Sequence, residues 1–239
     1  MKTQNPILDV FGGILDLLYP PKCIVCGTLG LEPTCAACLR EFRPIPGPIC
    51  RHCGTTLDAG KCKRCQFIPS EFISGARSAG VFEGTLRKAI HRLKYDGKRN
   101  LVGPLGSYFG EFLSRRPFGR VKVDMIVPIP LHRAKMHDRE FNQAALIAHE
   151  VGPILSLPVM EECVIRVRNT LPQVGLNASE RARNVKGAFQ VGDATAIKGR
   201  TVLLIDDVAT TLSTADACAE PLVNAEARAV YVATLGRDL

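Results

Sequence analysis

Eight cysteines between Cys23 and Cys65 limit what the first third of this chain can fold into more tightly than any other feature. They form four CxxC pairs, Cys23/Cys26, Cys35/Cys38, Cys50/Cys53 and Cys62/Cys65, and the second four repeat the first at an offset of 27 residues. Each half reads C-x2-C-x8-C-x2-C and opens on a glycine-ended knuckle, CIVCG and then CRHCG. A CxxC turn offers two thiolates to one tetrahedral ion, and a second such turn closes the site. Disulfides are the alternative, but no export signal accompanies the cysteines. A redox dithiol of the thioredoxin kind would be a single pair beside a βαβ pattern. The repeat therefore predicts two structural zinc ions, each with four thiolates and no open coordination position. It favours sequential pairing within each half, although a cross-braced arrangement satisfies the same spacing. Cys163 and Cys218 sit in apolar surroundings and read as small core residues.

Residues 1–68 are expected to form a small domain folded by its metals. The turn-rich FRPIPGP (42–48) joins its halves and FIPSEF (67–72) leads out. Ahead of the knuckles, Ile7, Leu8, Phe11, Ile14, Leu15 and Leu18 fit a helical stripe that docks on the protein itself. The apolar run Ile7–Tyr19 is broken by Asp9 and Asp16 and falls short of the roughly 20 residues a membrane span needs. It also lacks the basic region and cleavage site of a signal peptide. No membrane insertion is expected, and the expected compartment is the cytoplasm. Hydrophobic residues at 46% and charged residues at 23% exclude a disordered chain. The formal charge of +8 hints at an acidic partner. Eight thiolates holding two Zn²⁺ ions remove about four of those charges, which weakens the hint.

From Ser74 to Leu239 the pattern becomes α/β. Short β-branched runs at 124–129, 163–167, 201–205 and 229–234 alternate with helical patterns at 84–95, 101–115, 138–152 and 214–225. Such alternation predicts a mostly parallel sheet covered by helices. Ligands of such sheets collect at the carboxyl ends of the strands. That rule draws attention to TVLLIDDVATTLSTAD (201–216), where an apolar strand meets two acids and then a turn rich in hydroxyls. The free amides and dipole at the start of the following helix attract an anion such as phosphate. Thr210, Thr211, Ser213 and Thr214 add donors. Asp206 and Asp207 would repel phosphate, so they suit sugar hydroxyls or a magnesium ion. A ribose phosphate satisfies both ends. On composition alone, an ordinary capped helix behind two solvated acids fits equally well.

VLLIDDVATTLSTADAC (202–218) resembles the phosphoribosyl-pyrophosphate (PRPP) motif of type I phosphoribosyltransferases. The knuckles after LDLLYPPKC, HRLKYDGKRNL (91–101), IVPIPLHR (126–133), REFNQAALIA (139–148) and RVRNTLPQVGLNASERARNVKGAF (166–189) all resemble the ComF family. The likeness runs in order along nearly the whole chain. It implies a double zinc ribbon joined to a type I phosphoribosyltransferase-like α/β domain, with a role in natural competence and the use of imported DNA. It further implies that Asp206 and Asp207 hold ribose hydroxyls, with or without Mg²⁺. Ala209, Thr210, Thr211, Leu212, Ser213 and Thr214 would cradle the 5′-phosphate. Leu131, His132 and Arg133 correspond to the pyrophosphate loop, and Arg166, Arg168 and the segment to Gln173 to a mobile catalytic loop. Three departures stand out: Leu212, Glu140 and Glu226 occupy positions where the family carries glycine. A leucine in left-handed geometry costs on the order of 1–2 kcal/mol, and its side chain is expected to crowd the phosphate. Pro221, inside the last helical pattern, is expected to kink or break it.

The helical pattern at 84–95 puts Leu86, Ala89, Ile90 and Leu93 on one face. Arg87, Lys88, Arg92 and Lys94 crowd the remainder, and Lys98 and Arg99 continue the basic run. A solvated surface explains them; a patch for single-stranded DNA is the sharper reading. Few aromatics, 6% and no Trp, argue against a base-stacking platform. Three functions fit these features: a phosphoribosyl-transferring enzyme, a PRPP-responsive or inactive module that contacts DNA, and an adaptor for DNA-uptake proteins.

Overall fold

The computed structural model describes residues 20–67, 70–171 and 175–239. The apolar stripe Ile7–Leu18 and Gln173 lie outside them. Residues 20–67 contain two five-residue helices, Ala36–Arg40 (α1) and Lys63–Phe67 (α2), and little other regular structure. Their knuckles repeat in hydrogen bonding as they do in sequence. The Cys23 amide donates to Thr28 O at 2.8 Å and Gly27 N to Cys23 O at 2.9 Å, while Cys50 N donates to Thr55 O at 2.8 Å and Gly54 N to Cys50 O at 3.0 Å.

The rest is an α/β unit. Its strands are Gly75–Val81 (β1), Met125–Pro128 (β2), Val164–Arg166 (β3), Phe189–Val191 (β4), Thr201–Ala209 (β5) and Ala229–Arg237 (β6). Its helices are Gly84–Tyr95 (α3), Val102–Ser114 (α4), Arg133–Arg139 (α5), Gln143–Leu155 (α6), Ala178–Val185 (α7) and Ser213–Asn224 (α8). Four strands form one wholly parallel sheet in the order β1-β6-β5-β2, and β3 and β4 form an antiparallel pair. Burial follows the period-two alternation of strands. Leu203, Ile205, Ala233 and Leu235 face α3, α4 and α6, whereas Val202, Leu204, Val230 and Val232 face α8 and the β3–β4 pair. Leu86, Ala89, Ile90 and Leu93 of α3 are all at most 1% exposed, as their spacing requires. Gly106 lets α4 approach α6 closely: a Cβ there would lie 2.3 Å from the Cβ of Glu150. Among the described residues, no helix is long and apolar enough to cross a membrane.

The cysteine-rich segment is built into this unit. Cys23, Val25, Cys38 and Phe42 join the core on one face of the sheet, and Cys50 and Cys53 join the core on the other. The carbonyls of His52 and Arg43 accept from the amides of Ala76 and Val81 at 2.6 and 2.8 Å. Gly54 permits that seat, because a Cβ would sit 2.4 Å from Ala76 O.

The structure revises several expectations. The helix expected over 138–152 is two helices, α5 and α6. Glu140 turns the chain at φ 62°, and the Asn142 side chain caps α6 by accepting from Ala144 N at 3.1 Å. Strand β5 continues to Ala209, so Asp206 and Asp207 lie within it and not beyond it. Helix α8 runs past Pro221 to Asn224 without ending there. Leu212 adopts φ 60° and Glu226 φ 63°, so the three positions that replace family glycines all hold left-handed backbone. The Leu212 side chain is only 5% exposed and packs into the core on the α8 face instead of crowding the turn.

Relief of left-handed strain, about 1–2 kcal/mol, outweighs the extra unfolded-state freedom of glycine, about 0.4–1 kcal/mol. Glu140→Gly and Glu226→Gly are therefore expected to raise stability by about 0.5–1 kcal/mol each in urea denaturation, since their ion pairs with Arg99 and Lys198 are exposed. Leu212→Gly also empties a buried site and is expected to lower stability by about 1–3 kcal/mol.

Candidate functional site

The metal-binding groups come first in the chain. The Sγ atoms of Cys23, Cys26, Cys35 and Cys38 all lie within 4.8 Å of one another, and so do those of Cys50, Cys53, Cys62 and Cys65. The pairing is sequential. Four soft thiolates closing one tetrahedron fit structural zinc. The surroundings favour the thiolate form at Cys23 and Cys26 of the first cluster and at Cys50 of the second. The Thr28 hydroxyl, 3.2 Å from Cys26 Sγ, helps bring that thiol down to about 6. Burial pushes the Cys50 thiol up, but the amides of Cys53 and His52 outweigh it and leave it at about 7.

The second group of residues gathers where the parallel strands end. Neighbouring strand residues point to opposite faces, and the two acids have opposite surroundings. Asp207 is 7% exposed and its Oδ1 receives Lys94 Nζ of α3 at 2.8 Å. Burial draws the Lys94 ammonium down, but Asp207 and Asp206 hold it above its ordinary value. Asp206 is half-buried and accepts from the Asp207 amide at 2.8 Å. Burial and the Asp207 charge raise its carboxyl to about 7, against the pull of Lys94 and Arg166.

Cations arrive from three other segments. Arg166, at the end of β3, lies over the Phe189 ring at 5.2 Å, donates to Thr170 Oγ1 at 2.6 Å, and feels Asp206. Lys135 of α5 is pulled down by burial and by Arg166 and Arg139, so it shares that neighbourhood. Helix α7 starts with a capping box between Asn177 and Glu180, which fixes Arg181 one residue later. Arg181 Nη1 donates to Thr210 Oγ1 at 3.0 Å. In the turn itself, Thr211 Oγ1 and Ser213 Oγ are 2.8 Å apart. Arg64, carried by α2, donates to the carbonyl of Thr211. A cleft of about 330 Å³ lies alongside, where Arg64, Arg183, Lys186 and the hydroxyls of Thr211 and Ser213 share the lining with the acids Glu71, Asp216 and Glu220. Sequence reasoning missed Lys135, Arg181 and Arg64, because each comes from a different segment.

The remaining expected residues spread more widely. Leu131, His132 and Arg133 follow β2, which pairs with β5, and so share the carboxyl edge. His132 caps α5, its Nδ1 accepting from Ala134 N at 3.2 Å. Arg168 donates to the carbonyls of Asn184 and Lys186, so it braces the β3–α7 connection. Arg87, Lys88, Arg92, Lys98 and Arg99 are exposed. Arg92 meets Asp96 at 3.2 Å, and Arg99 lies 4.6 Å over Phe141. Lys94 does not belong to that surface, because Asp207 draws it inward.

Comparison with known proteins matches residues 14–66 to the double zinc ribbon domain. DNA utilization protein YhgH of Escherichia coli (strain K12) is 32% identical over 230 residues, covering 93% of this chain and 100% of that protein. The chain belongs to the ComF family. Competence protein F of Haemophilus influenzae is 29% identical over 206 residues, covering 81% of this chain and 86% of its own. Competence protein ComFC of Bacillus subtilis is 25% identical over 198 residues, covering 77% and 75%. Among solved structures, a glutamine PRPP amidotransferase from B. subtilis complexed with ADP and GMP is 14% identical with a TM-score of 0.42, over 61% of this chain and 30% of that one. That likeness is too loose to bear on the site.

Asp206 and Asp207 of this ComF-family chain do not assemble a magnesium site of their own. One carboxylate is already held by Lys94, and the other is drawn toward its protonated form. Lys94→Met, which strands Asp207, is expected to lower stability by roughly 2–4 kcal/mol. Adding Asp207→Asn should recover at least half of that loss in the same denaturant titration. Asp206 holds its proton more tightly folded than unfolded, so its contribution to stability is full below about pH 4 and is lost as pH rises through about 7. Urea midpoints between pH 5 and 8 should therefore fall more steeply in the wild type than in Asp206→Asn.

Proposed function

We propose that this protein binds PRPP at the carboxyl edge of its parallel sheet and acts in the uptake or utilisation of DNA. The biological half of the reading comes from the relatives, which are named as DNA utilization and competence proteins. The chemical half is carried by one observation: Arg181 bonds Thr210 in the turn that opens α8, with Asp206, Arg166 and Lys135 close by. In this reading the 5′-phosphate lies against the amides and hydroxyls of Thr210 to Thr214, and Arg181 matches its charge. Asp206 accepts from a ribose hydroxyl. The diphosphate faces Leu131 to Arg133 and Lys135, and magnesium comes with the diphosphate.

Transfer from PRPP breaks the bond from the anomeric carbon to the diphosphate oxygen, which leaves with the electron pair. An acceptor atom bonds to the same carbon and gives up its proton to solvent. The protein's part is to orient the sugar, spread the charge of the leaving group over Arg133 and Lys135, and exclude water.

A second reading has the exposed cations Arg87, Lys88, Arg92, Lys98 and Arg99 holding single-stranded DNA phosphates, with the sheet-edge site inactive. Their common exposure on α3 and the following turn favours it.

Calorimetric titration with PRPP and Mg²⁺ tests the first reading. Saturable heat is expected, and Arg181→Ala should weaken binding by about 10- to 100-fold, the loss of one charge-assisted hydrogen bond. Heat that is unchanged in Arg181→Ala and Asp206→Asn, or absent from the wild type, overturns it. Release of pyrophosphate with an added acceptor reads turnover. Under the second reading, single-strand retention falls with salt and is lost in Arg87→Gln/Lys88→Gln/Arg92→Gln.

A further inference from the structure

Arg237 is 1% exposed, and its Nε and Nη1 have no hydrogen-bond partner among the described residues. A guanidinium keeps its charge, and a buried charge without an opposite neighbour is strongly unfavourable. Arg64 and the thiols of Cys53, Cys62 and Cys65 all act on Arg237. Arg77, half-buried on β1 opposite Ala233, is acted on by Cys50 and Cys53. As neutral thiols these cysteines give the two cations nothing to oppose. As four thiolates around Zn²⁺ they leave two negative charges to oppose the cations Arg64, Arg77 and Arg237.

The same cluster adjoins the turn at the head of α8. Arg237 pairs in register with Ala209, the last residue of β5, and the Asp238 amide donates to Ala209 O at 3.0 Å. Arg64, set between ligands Cys62 and Cys65, donates to the carbonyl of Thr211. We propose that the second zinc centre clamps the turn Thr210–Ser213: buried Arg237 balances the tetrathiolate, and Arg64 on the metal-folded knuckle holds the Thr211 carbonyl in place. Arg237 and Arg64 act as positioning residues. The first centre makes no such connection among the described residues, and its Cys26 is exposed. The inference rests on the zinc assignment and is independent of which ligand the turn receives.

The test uses the full chain loaded with two zinc ions, a chelating dye to follow zinc release, and hydrogen exchange read on the peptide 207–218. Release in two phases is expected, the slower from the second centre. Arg237→Met should speed the slower phase by about tenfold and leave the faster one unchanged, as loss of a partner beyond the ligand shell does. Arg237→Lys, which restores the charge, should release zinc close to the wild-type rate. Protection of 207–218 should fall when the second zinc leaves and persist when only the first has left. Arg64→Ala should lower that protection with both zinc ions still bound, and this arm stands whether or not Arg237→Met folds. A slow phase indifferent to Arg237→Met, or protection of 207–218 indifferent to both zinc loss and Arg64→Ala, overturns the proposal.

Discussion

Strand β1 ends one side of a parallel sheet, and its outer backbone groups would otherwise face water as a template for foreign strands. The carbonyls of His52 and Arg43 cover that edge, one in the second knuckle and one in the segment joining the halves, and the cysteine-rich region that holds them has almost no regular structure of its own. A segment of that kind has too little apolar surface to fold by burial, so the metal must supply what the core does not. The dependence then runs outward. Cys23, Cys38 and Phe42 complete the core on one face of the sheet and Cys50 and Cys53 on the other, and Phe42 packs edge-on against Tyr108 at 5.0 Å. The boundary expected near residues 68–74 divides the sequence into two compositions, but both sides contribute to the same two cores.

The pair Asp206–Asp207 shows how strand geometry assigns different work to identical neighbours. Alternation sends one carboxylate toward α3, where Lys94 neutralises it, and leaves the other among Arg166 and Cys218. Asp207 therefore ties a helix to the sheet, while Asp206 remains the carboxyl available to a ligand. Arg166 and Lys135 raise the positive potential around it, and Arg181 carries that field to the turn. The cleft beside Thr211 and Ser213 is of mixed charge, with Arg64, Arg183 and Lys186 facing the acids Glu71, Asp216 and Glu220.

Much of this was legible in the sequence, for definite reasons. The cysteine repeat pointed to two four-thiolate clusters because tetrahedral ligation leaves few other uses for four paired turns, and the fold settles the sequential pairing that the spacing only favoured. The apolar face of α3 specified its burial, and the run TVLLI specified a central strand. Strand β1 was not legible: GARSAGV is small and weakly β-forming, and it is extended because β6 and the knuckle carbonyls receive its amides. Lys94 was read with the polar face of α3, since nothing local announces that β5 will bring Asp207 beneath it. Arg64, Lys135 and Arg181 lie in three separate segments, so only the fold reveals that they converge. A cation between two zinc ligands, as Arg64 is, was the one signal present in advance.

The glycine replacements bear on whether the turn still has a binding geometry. Left-handed backbone disfavours leucine by about 1–2 kcal/mol, and burying a leucine side chain returns about 1.5–3 kcal/mol. At position 212 the two terms offset, because the side chain enters the core between β5 and α8. The turn thus holds a left-handed residue at 212 with its side chain in the core. Glu140 and Glu226 are exposed and gain no such return, so their strain is carried by the surrounding fold. That strain persists because a backbone hydrogen bond holds each position: Glu140 N donates to Met136 O, Leu212 O accepts from Asp216 N, and Glu226 O accepts from Gly199 N, each at 2.8 Å.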